Sequence, residues 1–219
     1  QKMIEESPSA AVSSELREKM GHAAVTAAKA AGYVNAGTIE FLLEPDGKFW
    51  FMEMNTRIQV EHPVTEWVTG IDLVKEQLKI ASGMPLEIAQ EDVRIQGHAI
   101  ECRINAENPQ KNFRPSPGTI QGAHFPGGNG IRVDTCVYNG CKIPPYYDSM
   151  LAKLIVHAGN RKEAIAKMQS ALGEVIIDGI DTNIDYQYEI LKDEDYQSGN
   201  FDTGFLASHI IAGVKINEN

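Results

Sequence analysis

The sequence is poor in several features that mark particular classes of protein. Its 219 residues contain 3 cysteines, Cys102, Cys136 and Cys141, an odd number without CxxC spacing that indicates neither a disulfide framework nor a zinc knuckle. No run approaches the roughly 18 apolar residues of a membrane span, and no N-terminal segment resembles a signal peptide. Positive charge is also scarce, since 20 Lys and Arg stand against 30 Asp and Glu, whereas nucleic-acid-binding surfaces are basic. We therefore expect a cytoplasmic protein that binds neither membranes nor nucleic acid.

The remaining composition is that of an ordinary globular protein, with 42% hydrophobic and 23% charged residues. The first residue is Gln1 rather than an initiator Met, and the apolar Met3-Ile4 that follows is typical of the end of a strand. The sequence therefore suggests a piece of a longer protein, with room for one large domain or two modest ones.

Local patterns predict helices and strands in both halves of the chain. Ser13 or Ser14 can cap a first helix, and Asp46-Gly47 between two apolar runs is a hairpin turn signal. From Gly97 onward strand-like runs separated by Gly and Pro dominate, so a domain boundary is predicted between residues 91 and 97. Helices are predicted over 14–32, 71–82, 161–173 and 185–191, and strands over 37–43, 48–54, 98–104, 118–125, 130–137 and 150–157.

The hairpin brings two carboxylates together. A symmetric two-residue turn makes Pro45 face Lys48 and, further along, Glu40 face Glu53. Directly opposed like charges destabilise a sheet, and a hard divalent cation with oxygen ligands would relieve the repulsion. Mg²⁺ typically binds one or two carboxylates together with substrate phosphates, and Asn55 could add a third oxygen. The alternative is that both glutamates are simply solvated, or that an odd loop length separates their faces.

Polar side chains continue beyond this pair at every second position. They are Glu53, Asn55, Arg57, Gln59 and Glu61, and they would share one side of the chain if it stayed extended. Such alternation is also typical of any half-exposed strand. The residue types favour a functional site. Metal-type ligands are followed by Arg57, whose planar guanidinium can bind an anion through two hydrogen bonds, and by Glu61, a candidate general base. This set suits phosphoryl transfer followed by capture of an anion.

The segment from Glu53 to Glu66, Glu-Met-Asn-Thr-Arg-Ile-Gln-Val-Glu-His-Pro-Val-Thr-Glu, resembles the signature of biotin carboxylases, which are members of the ATP-grasp superfamily. The similarity extends over nearly the whole chain, through residues 98–107, 116–118, 144–150 and 178–183. It implies an α/β (α+β) fold in which residues 1–96 form the C-terminal half of an ATP-grasp domain and residues 97–219 form a mixed α+β biotin carboxylase C-terminal domain. The family's N-terminal lobe and glycine-rich lid have no counterpart in the sequence.

The resemblance implies an ATP and metal site. Glu40 and Glu53 match the family's ligands of the Mg²⁺ (or Mn²⁺) ions that bridge the ATP phosphates, and Asn55 matches a further metal ligand. Leu42 falls where a wall of the adenine pocket is expected. Lys2 matches a lysine that contacts bicarbonate or phosphate.

The resemblance also implies a site for bicarbonate and biotin. Glu61 matches the base that deprotonates bicarbonate, and Arg57 matches the arginine that binds this anion bidentately. Gln59 and the main-chain amide of Val60 help to orient the anion. Arg103 matches the arginine that stabilises the developing biotin enolate.

In that family ATP phosphorylates bicarbonate to carboxyphosphate, and the carboxyl group passes to biotin on a biotin carboxyl carrier protein. The resemblance thus implies a ligase, most like the biotin carboxylase subunit of bacterial acetyl-CoA carboxylase in fatty acid synthesis, working as a homodimer with a carboxyltransferase component. The alternatives are a carboxylase serving another acyl-CoA or pyruvate, a carbamoyl-phosphate-forming ligase, and a non-catalytic dimerisation or interaction module. Because the lid is missing, we expect the chain alone to be inactive.

Overall fold

The computed structural model describes residues 2–211 and 213–215. The chain divides into two compact units. The hairpin unit spans Pro8–Gln96, and the sheet unit comprises the segment up to Ser7 and the chain from Gly97 onward. The first residues therefore group differently from the predicted assignment, which placed them with the N-terminal domain. Ile4–Ser7 belongs to the sheet unit because its backbone pairs with a strand there.

The elements alternate along the chain much as predicted. The helices are α1 Ser14–Ala30, α2 His62–Thr69, α3 Leu73–Ala81, α4 Arg161–Glu174, α5 Ile184–Lys192, α6 Glu194–Ser198 and α7 Phe205–Ser208. The strands are β1 Ile4–Ser7, β2 Thr38–Leu43, β3 Phe49–Asn55, β4 His98–Asn105, β5 Glu107–Asn108, β6 Arg114–Pro115, β7 Gly118–Thr119, β8 Gly122–His124, β9 Ile131–Thr135, β10 Lys142–Ile143, β11 Met150–Ala158, β12 Ile176–Asp178, β13 Ile210–Ile211 and β14 Val214–Lys215. Among these described residues, no helix has both the length and the apolar character needed to cross a bilayer.

Side-chain caps explain where the predicted helices begin. The Ser13 hydroxyl accepts a hydrogen bond from the Leu16 amide at 3.2 Å at the start of α1. The Asn160 side chain accepts one from the Glu163 amide at 3.0 Å at the start of α4. Each cap satisfies a backbone donor that has no partner inside the helix. These two predicted helices are therefore confirmed, together with α3 and α5.

The core of the sheet unit lies against an antiparallel sheet with strand order β1-β4-β11-β9. Ile100, Ile104 and Leu154 on the two central strands are fully buried. Met168 and Leu172 of α4 belong to the same hydrophobic cluster, and α4 packs on β4 and β11. Alternate residues of the strands and one face of the helix thus pack together in the hydrophobic core of this unit.

The predicted strand over 118–125 is wrong as a single element. It is broken into β7, which pairs with β10, and β8, which pairs with β12. Between them the Ile120 amide donates to the Cys141 carbonyl and the Gln121 amide donates to the Asp178 carbonyl, at 2.9 and 2.8 Å. The backbone therefore changes partner within two residues, which the apolar pattern of the segment does not reveal.

Gly179 gives a first test of this part of the fold. Its φ is +100°, and a Cβ at this position would overlap the carbonyl oxygen of Thr119. We expect Gly179→Ala to lower the free energy of unfolding by about 2–4 kcal/mol, from backbone strain and overpacking together. Gly140→Ala is the matched control, because Gly140 has a similar φ of +86° but no described heavy atom within 4 Å of its Cβ position. Equal losses in urea denaturation of the two variants would contradict the assignment.

A largely buried carboxylate in the sheet unit, Glu6, predicts a pH dependence of stability. Glu6 Oε2 lies 2.8 Å from His98 Nε2 and 2.8 Å from Arg161 Nε. Burial by itself raises the pKa of the Glu6 carboxyl, but the hydrogen bonds from His98 and Arg161 outweigh it, so that the pKa is lowered below 4.5. A lowered native pKa contributes stability that is present above the unfolded-state pKa and is lost as the pH falls through the native pKa.

We therefore expect the difference in unfolding free energy between the wild type and Glu6→Gln to shrink as the pH is lowered from 7 through about 4.5 and below. Chemical denaturation at several pH values measures it. Glu18→Gln, at an exposed position of α1, is the control and should show no comparable trend. A difference that grows in acid would have the wrong sign.

The hairpin unit leaves apolar side chains of its two strands in contact with solvent. Phe41 and Phe49 pack edge to face with ring centroids 5.2 Å apart. In contrast, Leu42, Trp50 and Phe51 are 52, 57 and 60% exposed. Apolar patches of this kind are usually covered by another part of a protein or by a partner.

Candidate metal and anion site

Glu40 and Glu53 face each other across the hairpin, as predicted. The loop that produces this pairing is not the symmetric two-residue turn predicted from the sequence. The Glu44 amide donates to the Lys48 carbonyl at 2.8 Å, so the loop holds three residues rather than two. A bulge at Met52 then inserts one extra residue into β3 and restores the predicted pairing. Bulges are often found beside functional sites, where they re-aim a side chain.

β3 does not continue to Glu61, so the condition under which the alternating polar side chains would share one side is not met. β3 ends at Asn55, the chain turns, and α2 begins at His62. Glu61 is the N-cap residue of α2, with φ −80° and ψ 7°, and Pro63 lies in the first turn of the helix. The signal for this missed helix was the proline, which is favoured in a first helical turn.

Five of the predicted site residues nevertheless form one hydrogen-bonded network. Asn55 Nδ2 donates to Glu53 Oε1 at 2.9 Å and to Glu40 Oε1 at 3.1 Å. Gln59 Nε2 donates to the same Glu40 oxygen. Arg57 Nη2 donates to Asn55 Oδ1 at 3.1 Å. The turn after β3 therefore brings Asn55, Arg57 and Gln59 close to the two glutamates, although the chain does not stay extended.

The donor set of this network fits a hard divalent cation. The Glu40 and Glu53 carboxylates are paired across the sheet, and Asn55, whose Nδ2 contacts both, carries a third oxygen, Oδ1, on the same amide. Oxygen-only donors of this kind suit Mg²⁺ or Mn²⁺ better than softer metals. A cation here would also offset the repulsion between two carboxylates that face each other directly.

Arg57 presents an exposed guanidinium beside this carboxylate pair. Its Nη1 donates to the Ile58 carbonyl at 3.2 Å, and its Nη2 is held by Asn55. The planar group has five N–H donors in a fixed fork, which matches the geometry of a carboxylate-like anion. Gln59 is buried, with 8% of its surface exposed.

Backbone and imidazole contacts hold the turn that carries Val60 and Glu61. His62 Nδ1 lies 2.8 Å from the Gln59 carbonyl, which also accepts from the His62 amide at 3.3 Å. Val60 and Glu61 are partly buried. The sequence did not predict the role of Glu66, whose Oε1 accepts a hydrogen bond from the Leu73 amide at 2.8 Å and so joins α2 to α3.

The remaining predicted site residues lie elsewhere. Leu42 is on the hairpin opposite Trp50 and is half exposed. Arg103 and Lys2 belong to the sheet unit. Arg103 lies on β4, where its Nη2 is 2.6 Å from Glu5 Oε1, and 18% of its side chain is exposed. Lys2 is exposed and precedes β1.

Buried amides fix the backbone on which Arg103 lies. The Arg103 carbonyl accepts hydrogen bonds from Asn183 Nδ2 at 3.0 Å and from Gln187 Nε2 at 2.7 Å. Both amide side chains are fully buried. Asn183 is the last residue of the 178–183 segment, which is one of those that resemble the family. Through Asn183 this segment anchors β4 at Arg103.

A second group of potential ligands lies in the sheet unit. Asp193, Asp195 and His209 have ligand atoms within 4.8 Å of one another. Asp193 caps α6 by accepting from the Asp195 and Tyr196 amides, and His209 Nε2 pairs with Asp195 at 3.1 Å. Local hydrogen bonds therefore account for this group.

Both halves of the chain match known protein families. Residues 101–208 match the biotin carboxylase C-terminal domain, and residues 1–89 match the carbamoyl-phosphate synthase L chain ATP-binding domain. Biotin carboxylase 1 of Bacillus subtilis is 58% identical over 214 residues, covering 97% of this chain and 48% of the relative. A pyruvate carboxylase subunit from Methanothermobacter thermautotrophicus is 56% identical, covering 94% and 42%.

Solved structures agree with these relatives. The biotin carboxylase domain of Hydrogenobacter thermophilus 2-oxoglutarate carboxylase, a dimer in complex with MgADP, ADP and bicarbonate, matches with a TM-score of 0.92 at 50% identity. The match covers 94% of this chain and 46% of that one, and it confirms the predicted α/β fold class. The chain thus spans about half the length of the proteins it matches. It belongs to the biotin carboxylase family, and its C-terminal part is a biotin carboxylase C-terminal domain.

Proposed function

We propose that this chain is part of a biotin carboxylase, which uses ATP, Mg²⁺ (or Mn²⁺) and bicarbonate to carboxylate biotin on a carrier protein. The observation that carries the proposal is the network that joins the facing Glu40 and Glu53 to Asn55, Arg57 and Gln59. The relatives named as biotin carboxylases, and the relative solved with MgADP and bicarbonate, support the same function.

Glu40, Glu53 and the oxygen of Asn55 are the residues that would hold the metal. When bound, the metal supplies positive charge that neutralises the phosphates of ATP. Leu42 contributes an apolar surface for the adenine, and Lys2 adds a cation for bicarbonate or phosphate. These assignments agree with the donor chemistry of the hairpin and with the exposure of Leu42 and Lys2.

Arg57 binds the bicarbonate anion with its guanidinium fork, and Gln59 and the Val60 amide orient it. Glu61 takes the bicarbonate proton, so that the oxygen attacks the γ-phosphorus of ATP while the bond to ADP breaks. The resulting carboxyphosphate separates into CO₂ and phosphate. The released phosphate takes the N1 proton of biotin, and Arg103 stabilises the negative charge that develops on the biotin ureido oxygen as N1 attacks CO₂.

The complete assembly requires further components. We propose that a biotin carboxyl carrier protein brings the biotin, that a carboxyltransferase component receives the carboxyl group, and that the carboxylase is a homodimer. The relative from Hydrogenobacter described as a dimer supports the last point. We propose acetyl-CoA carboxylase, and hence fatty acid synthesis, as the parent system. Pyruvate and 2-oxoglutarate carboxylases are the second candidates, because relatives bearing those names are 56 and 50% identical.

The function is tested in a joined protein, in which the N-terminal part of the Bacillus relative that this chain does not match is placed ahead of residue 1. We expect ADP formation that requires both bicarbonate and Mg²⁺ and increases with biotin. The 219-residue chain alone should be inactive, because the proposed site lacks the phosphate-covering lid. Carbamoyl phosphate formation from ammonia would instead favour the ligase alternative, and no ATP cleavage by the joined protein would favour a non-catalytic module.

A further inference from the structure

The Asn55 amide faces two kinds of charge. Its Nδ2 donates to Glu53 Oε1 and Glu40 Oε1, at 2.9 and 3.1 Å, while its Oδ1 accepts from Arg57 Nη2 at 3.1 Å. The orientation is chemically determined, because carboxylates accept hydrogen bonds and a guanidinium only donates them. One short side chain therefore connects the carboxylate pair with the anion fork.

The oxygen and the nitrogen of this amide differ in their ability to bind a cation. A cation at Glu40 and Glu53 can be bound by Asn55 only through Oδ1, because an amide nitrogen has no lone pair available for a metal. In the structure Oδ1 points to Arg57, and the N–H₂ group points to the carboxylates. Coordination by Asn55 therefore requires the amide to turn over, about its terminal torsion, which has two broad wells.

Turning the amide over has a consequence for Arg57. Two N–H donors would then meet, Nδ2 of Asn55 and Nη2 of Arg57, and the hydrogen bond between the two side chains would be lost. The Nη1 contact with the Ile58 carbonyl at 3.2 Å can remain, since it does not involve Asn55. The guanidinium would keep its location but regain Nη2 as a donor for an anion.

We propose that Asn55 is a positioning residue that couples the two ligands: cation binding at Glu40 and Glu53 turns its amide and releases Arg57 for bicarbonate. The proposal rests on the proposed function and adds to it that metal binding strengthens binding at the anion site. By linkage, bicarbonate must strengthen cation binding by the same factor. A charge-assisted hydrogen bond of this kind corresponds to roughly a tenfold change in affinity.

NMR of the 219-residue chain tests the coupling directly. Side-chain amide signals of Asn55 and guanidinium signals of Arg57 are followed during titration with Mg²⁺ alone, and bicarbonate affinity is measured with and without Mg²⁺. We expect both side chains to shift together with one Mg²⁺ affinity, and bicarbonate to bind about tenfold more tightly with Mg²⁺ present. Asn200→Ala, which removes an exposed amide from the sheet unit, is the matched control for the variant Asn55→Ala and should bind both ligands as the wild type does.

Asn55→Ala distinguishes coupling through the Asn55 amide from simple electrostatic attraction between Mg²⁺ and an anion. Without the amide, Arg57 is already released, so bicarbonate should bind roughly tenfold more tightly than to the wild type when Mg²⁺ is absent. Mg²⁺ should then add less than it adds in the wild type. The proposal is overturned if Mg²⁺ shifts Glu40 and Glu53 but not Arg57, or if Asn55→Ala keeps the full Mg²⁺ effect. Failure of the proposed function would appear separately, as absent bicarbonate-dependent ADP formation by the joined protein.

Discussion

Glu61→Gln is expected to lower kcat for bicarbonate-dependent ADP formation by the joined protein by about a hundredfold to ten-thousandfold. That is the range a positioned general base typically contributes. The amide has nearly the shape of the carboxylate, so the N-cap position at the start of α2 and the backbone hydrogen bond from the Val64 amide to the Glu61 carbonyl should persist. The change therefore removes the proton acceptor and leaves the turn intact.

Steady-state kinetics with saturating ATP and Mg²⁺ measure this effect. The control is Glu87→Gln, the same chemical change at a side chain that is 71% exposed, and its kcat should equal that of the wild type. The expected pattern is a large fall in kcat with little change in the KM for bicarbonate, because Arg57 still binds the anion. A Glu61→Gln variant that turns over at the wild-type rate would remove Glu61 from the role of base.

Glu53→Gln is expected to produce two opposite effects. Removing one of two directly opposed carboxylates should leave the unfolding free energy unchanged, or raise it by up to about 1 kcal/mol, when no divalent metal is present. The same change should weaken the apparent affinity for Mg²⁺ in ADP formation at least about tenfold, since a charged ligand is lost. A glutamate that served only the fold would not separate stability from metal affinity in this way.

Thermal or chemical denaturation with EDTA, and ADP formation titrated with Mg²⁺, measure the two effects. Glu44→Gln is the control in the same hairpin; Glu44 accepts a hydrogen bond from Trp50 Nε1 at 2.9 Å in the turn, and its replacement should not alter the Mg²⁺ dependence. A clear loss of stability in Glu53→Gln with unchanged Mg²⁺ affinity would mean that the carboxylate pair is structural.

Much of the secondary structure could be predicted because it depends on neighbouring residues. Ser13 and Asn160 are polar caps directly before apolar-periodic segments, so the helices that follow them needed no distant contact to be predicted. The facing of Glu40 and Glu53 was also predicted, although through two compensating deviations, a three-residue loop and a bulge at Met52. Residue pattern does not distinguish that combination from a symmetric turn, because both give the same pairing beyond the bulge.

Other features depended on contacts that are distant in sequence. The N-terminal strand Ile4–Ser7 pairs with β4, nearly a hundred residues later, and nothing local indicates this partner. β3 ends within one residue of its predicted end, but α2 was missed because the alternation of polar residues continued past Asn55, although Pro63 signalled a helix. The side-chain network around Asn55 required the turn after β3, so its members could be predicted but its hydrogen bonds could not.

Transfer of radiolabel from bicarbonate to biotin by the joined protein tests the central claim most directly. The account predicts acid-labile labelled carboxybiotin that forms only with ATP and Mg²⁺ present, with Glu61→Gln forming label at least about a hundredfold more slowly. Glu87→Gln should label biotin at the wild-type rate. ATP cleavage without any label in biotin, or labelling that does not need ATP, would contradict the assignment of this chain to biotin carboxylation.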